Sequence, residues 1–104
     1  MKSAFTLLLV AMGAVGTLAA ADAQAGKAVY DKSCKSCHGV DGKGNPAIAK
    51  MMKVDLKALG SAEVQGKSDA DLKKDSTQGT GKMKPVKITD AQADDVVAYV
   101  RTLK

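Results

Sequence analysis

Apolar residues are arranged along this chain in two distinct ways. Ala4 to Ala19 is a stretch without a single charge, whereas beyond Asp22 apolar and polar residues recur with helical spacing. From Ala25 through Ala28, Val29 and Tyr30 to Cys34 and Cys37, apolar positions return at three- and four-residue steps, which predicts one amphipathic helix. The run from Gly39 to Asn45, rich in glycine, breaks it, and Pro46 can open a further helical turn through Ile48, Met51 and Met52. Val54, Leu56, Leu59 and Val64 predict a partly helical connection interrupted by Gly60 and Gly66. Ser68-x-x-Asp71 has the spacing of a capping box for a short helix that ends near Gln78, where Gly79 stops it. Thr89-x-x-Gln92 is a second such box, and Ala93, Val96, Val97, Val100 and Leu103 then mark one buried helical stripe. The expectation is an all-α domain, with no internal repeat, heptad pattern or low-complexity tract.

The uncharged stretch reads as a targeting segment. Lys2 supplies a short positive start, and small residues fill Ala19-Ala20-Ala21-Asp22-Ala23, which suits cleavage after Ala21 or Ala23. Residues 1–23 are therefore expected to be a secretory signal peptide and 24–104 the exported domain. The alternative is an uncleaved membrane anchor, since Ala4 to Ala21 is just long enough to cross a hydrocarbon core. Gly13, Gly16 and Thr17 make that span weakly hydrophobic, and no cluster of positive charge stops it. Export points to the periplasm, an oxidising compartment.

Without the leader, about 80 residues remain, which is small for a self-sufficient hydrophobic core. Such a domain needs a staple. Only Tyr30 and Tyr99 remain as aromatic residues once Phe5 leaves with the leader, and there is no tryptophan. The net charge of +5 comes from lysines scattered among acids without aromatic interleaving, so nucleic-acid binding has little support.

The chemistry concentrates in Cys34-Lys35-Ser36-Cys37-His38, which holds both cysteines and the only histidine of the chain. C-x-x-C-H is the attachment spacing of a c-type haem. Two thiols about one helical turn apart can each add across a vinyl group on neighbouring edges of a porphyrin, and the next side chain then lies under the iron. Three readings compete with it. A redox-active C-x-x-C would want a strand-helix-strand context, and no alternating strand pattern precedes Cys34. A structural zinc site would need a fourth ligand such as Asp31 or Asp41. A disulfide between Cys34 and Cys37 would close a very short loop and leave His38 unexplained.

Taken together, these features resemble the small bacterial class I cytochromes c, monohaem proteins, over essentially all of the exported domain. The resemblance rests on the helix ending in C-x-x-C-H, Gly42-Lys43-Gly44-Asn45-Pro46, Gly81-Lys82-Met83, and a last helix ending Tyr99-Val100-Arg101-Thr102-Leu103. It implies a cytochrome c fold, in which N- and C-terminal helices cross and short helices and loops wrap a covalently bound haem. Gly26 and Tyr30 would meet Val96 and Tyr99 at that crossing. It also implies His38 and Met83 as axial iron ligands, with the Pro46 carbonyl accepting a hydrogen bond from the second nitrogen of His38. Met51 and Met52 lie on a predicted helix, where methionine is usually a flexible core filler. Two departures stand out. Met83 is followed by Lys84 before Pro85, whereas the family commonly places proline directly after its ligand methionine. Leu72 is followed by Lys73-Lys74-Asp75-Ser76-Thr77, so one haem wall is expected to be polar.

The implied function is one-electron transfer rather than enzymatic catalysis. With both axial positions filled no vacant site remains for substrate, and without a second histidine the chain cannot build a catalytic triad. The expected partners are redox proteins of a respiratory or periplasmic chain, met by a monomer that touches membranes only through partner complexes. Lys35, Lys43, Lys82, Lys84 and Lys87 would form a basic rim for acidic partners, or serve solubility alone. Two other readings stay open: a haem protein that binds or senses a small ligand, or acts as a weak peroxidase, with Met83 labile or absent; and a dedicated subunit of one oxidoreductase.

Overall fold

The computed structural model describes residues 20–104, so the leader expected at 1–23, with Phe5, Met1 and Met12, lies almost wholly outside the described residues. Six helices follow one another: α1 (Ala23–Ser33), α2 (Lys35–His38), α3 (Pro46–Met52), α4 (Ala62–Gln65), α5 (Asp69–Gln78) and α6 (Asp90–Val100). A 3-10 turn over Arg101–Leu103 ends the chain. There is no strand among the described residues, only an isolated bridge between Thr80 and Met83.

Most starts and stops follow from capping chemistry. The Asp22 carboxylate accepts from the Gln24 and Ala25 amides, so α1 begins earlier than apolar periodicity alone indicates. Asn45 caps α3 and Pro46 occupies its first turn, where the missing N–H has no helical partner to lose. At α6 the capping box is reciprocal: Thr89 Oγ1 accepts from the Gln92 amide and Gln92 Oε1 from the Thr89 amide. At α5 only the Ser68 half forms, the hydroxyl accepting from the Asp71 amide.

Periodicity misplaces one boundary. The single helix expected from Ala25 to Cys37 is interrupted at Cys34, whose φ of −124° and ψ of −33° leave the helical region. The flanking hydrogen bonds hide the break: the Cys34 amide still donates to Tyr30 O at 2.8 Å, and the His38 amide to Cys34 O at 3.0 Å. A one-residue kink preserves three- and four-residue apolar spacing, so no pattern in the sequence reports it.

The packed centre is the crossing of α1 with α6. Tyr30 and Ala93 are fully buried, and Val96, Val97 and Val100 nearly so. Gly26 makes the close approach possible, since a Cβ there would sit 3.0 Å from Val96 N and closer still to the Asp95 carbonyl. One turn on, the Tyr30 and Tyr99 rings meet with centroids 5.1 Å apart at 57°. The meeting of Gly26 and Tyr30 with Val96 and Tyr99 is thus as expected. The last turn is fastened by Arg101, whose guanidinium donates to Gln65 O, Lys67 O and Asp69 Oδ1 at 2.6 to 3.0 Å.

Candidate functional site

Beside this small centre lies a cavity of about 870 Å³, within the range of roughly 300–1,000 Å³ common for cofactor sites. The kink at Cys34 and the short helix α2 place Cys34, Cys37 and His38 along one side of it. The loop after α5 brings Met83 to the same cavity, and α6 contributes Val96, Val97 and Val100 as its floor. Leu56, Leu59 and Val64, from the connection whose boundaries the sequence left undefined, complete an apolar lining.

The donor set fits a c-type haem. Both cysteines are unpaired and half-buried at the cavity wall, side by side with His38. Among the described residues no group of three or more histidine, cysteine or acidic side chains could hold a metal ion by itself. Burial, and secondarily the neighbouring Cys37, pushes the Cys34 thiol up from its ordinary value. Burial pushes the His38 imidazole down, which favours the neutral ring that a metal needs. His38 Nδ1 is buried without a hydrogen-bond partner.

The expected partner of that nitrogen is the Pro46 carbonyl, and no hydrogen bond joins the two in this structure. The loop between them lies against the haem motif: Gly44 N donates to His38 O at 2.7 Å and Asn45 N to Cys37 O at 2.8 Å, so the chain folds back on the motif through its backbone amides. Pro46 then begins α3.

Other side chains also depart from expectation. Met51 is 71% exposed and is no core filler, while Met52 lines the cavity. The expected lysine rim divides: Lys82, Lys84 and Lys87 border the cavity, whereas Lys35 and Lys43 stand on the exposed surface outside its lining. The polar wall is present where α5 passes, as Asp75 and Ser76 line the cavity and Lys67 Nζ pairs with Asp75 Oδ2 at 2.8 Å.

Two contacts escaped the sequence. Tyr30 Oη donates to Gly39 O at 2.5 Å, which ties the buried ring to the residue after His38. Lys82 Nζ donates to Met52 O at 2.9 Å, which joins the Met83 loop to α3 across 30 residues of sequence. Neither residue type nor spacing signals such long-range partners.

Comparison with known proteins points the same way. The family model for cytochrome c matches residues 23–104. Cytochrome c-554(547) of Halothiobacillus neapolitanus is 35% identical over 91 residues, which cover 82% of this chain and 100% of that protein. Cytochrome c-555 of Chlorobaculum tepidum is 36% identical over 91 residues, 82% of this chain and 80% of its own. Among solved structures, the KustC0563 c-type cytochrome superposes with a TM-score of 0.65 at 29% identity, over 76% of this chain and 96% of that one.

Proposed function

We propose that this chain, which belongs to the cytochrome c family, is a periplasmic one-electron carrier whose haem iron is held between His38 and Met83. Membership brings a covalently bound haem c and its iron, and with them a haem-based electron-carrier role. The observation that carries the finer reading is that Cys34, Cys37, His38 and Met83 all line one largely apolar cavity.

When bound, the haem supplies a single iron that alternates between Fe(III) and Fe(II). The residues of the chain do the rest. Cys34 and Cys37 would hold the macrocycle through thioethers, so that carrier and cofactor do not part. His38, whose neutral form burial favours, would present a ring nitrogen to one face. Met83 would present a soft thioether to the other, which favours the reduced state and raises the potential relative to two nitrogen ligands. Leu56, Leu59, Val97 and Val100 give the cavity an apolar lining, which would act in the same direction. With His38 and Met83 both on the iron, no position would remain for a substrate, and the site would exchange electrons without making or breaking substrate bonds.

Partners are acidic redox proteins, steered to the cavity edge by Lys82, Lys84 and Lys87 and released quickly, as a small interface of a monomeric carrier allows. The leader expected at residues 1–23 supports the periplasmic placement. Among the described residues no helix is long and apolar enough to cross a membrane.

The polar wall of Asp75, Ser76 and the paired Lys67 favours one competing reading, a haem protein that binds a small ligand where Met83 yields. The ferric absorption spectrum separates the two. A carrier with Met83 on the iron shows a weak far-red charge-transfer band that Met83→Ala abolishes. A native protein that lacks the band and binds carbon monoxide rapidly when reduced is the ligand-binding protein instead.

A further inference from the structure

The loop that carries Met83 is held at three places, and only one of them reaches beyond its own neighbourhood. At its base the Gly79 amide donates to Asp75 O at 3.0 Å and the Val86 amide to Ser76 O at 2.9 Å, both on α5. At its tip Thr80 and Met83 close a tight turn, each amide donating to the other's carbonyl at 3.1 and 2.9 Å. Both tie the loop to itself or to α5. The third is the ammonium of Lys82 on Met52 O, and among the described residues it is the only hydrogen bond from the segment 79–87 to α3. Its acceptor is well chosen. Lys53 turns left-handed at the end of α3, with φ of 52°, and its amide takes the Ala49 and Lys50 carbonyls. The Met52 carbonyl is left at the negative end of the helix, where a cation is favoured. Met52, Lys82 and Met83 all line the cavity, so the bond crosses its solvent edge.

We propose that Lys82 is a positioning residue, a clasp that anchors the turn of residues 80–83 to α3 and so holds the Met83 sulfur in place. The inference rests on Met83 being an axial ligand. Because the turn consumes both the amide and the carbonyl of Met83, that residue cannot shift without moving Lys82. With the clasp open, the loop follows α5 alone and the thioether leaves the iron more often.

The test uses the haem-loaded, full-length exported protein in its ferric state, with imidazole as the probe. At saturating imidazole the exchange rate reports how often Met83 leaves. Lys82→Leu removes the ammonium without adding a second thioether beside Met83, and is expected to raise that limiting rate three- to tenfold, the effect of one charge-assisted hydrogen bond discounted for its exposure. Lys82→Arg restores a donor and should bring the rate back towards the native value. Lys27→Met, which removes an exposed lysine paired with Asp31 on α1, should leave it unchanged. An intact far-red band with an unaltered rate in Lys82→Leu overturns the clasp alone. A native protein without the band, whose imidazole binding never saturates in rate, overturns the ligand assignment and the clasp with it.

Discussion

Gly26→Ala is the sharpest challenge to the packing that organises this molecule, because two effects of known size oppose each other. On an isolated helix alanine is better than glycine by about 1 kcal/mol. Here the added Cβ would face backbone on the opposing helix, 3.0 Å from Val96 N and nearer to the Asp95 carbonyl. Backbone cannot swing aside as a side chain can. Helix α1 must retreat from α6 by roughly 1 Å or more to restore an ordinary separation of about 3.5 Å. That retreat loosens the contacts of Tyr30 and Val96, two of the few buried residues of the domain. Overpacking of this kind costs about 1–3 kcal/mol, and the upper end applies where the obstacle is rigid. Subtracting the gain in helix propensity leaves a net loss of about 2 kcal/mol. At about 4–8 °C per kcal/mol for a domain of this size, the expected drop in Tm is about 8–16 °C. Far-UV circular dichroism of the haem-loaded protein during heating measures it. A variant as stable as the parent, or more so, would refute the close crossing.

Two further outcomes can be stated. Burial pushes the Tyr30 phenol up from 10.0 to about 12, so the folded state keeps a proton that the unfolded chain releases near pH 10. Stability linked to Tyr30 is therefore complete below pH 10 and declines as pH rises towards 12. Tyr30→Phe should make denaturation midpoints fall less steeply across that window, and identical slopes in the two proteins would contradict it. For the basic edge of Lys82, Lys84 and Lys87, the association rate with an acidic redox partner should fall as ionic strength rises. A flat response in stopped-flow measurements would leave these lysines a solubilising role only.

Covalent chemistry and helix boundaries were legible in the residues themselves, because both depend on near neighbours. The haem motif is five consecutive residues, Thr89 and Gln92 cap a helix three residues apart, and the α6 stripe repeats with the helical period. Even the crossing of the terminal helices followed once family resemblance placed Gly26 opposite Val96. What failed depended on direction in space. Met51 and Met52 are adjacent and chemically identical, yet the one faces solvent and the other the cavity. Leu56, Leu59 and Val64 come from a connection with no clear helical pattern, yet they line the cavity beside the haem motif. The kink at Cys34 keeps its hydrogen bonds and so leaves no trace in the pattern.

By itself, then, the sequence determined that this protein carries a c-type haem on a small helical domain, since attachment, capping and helical periodicity are local properties of the chain. Only the tertiary structure decided which side chains close the cavity and that Lys82 binds the end of α3. Those are matters of orientation between segments distant along the chain. Residue order constrains such orientation only through the packing of the whole molecule.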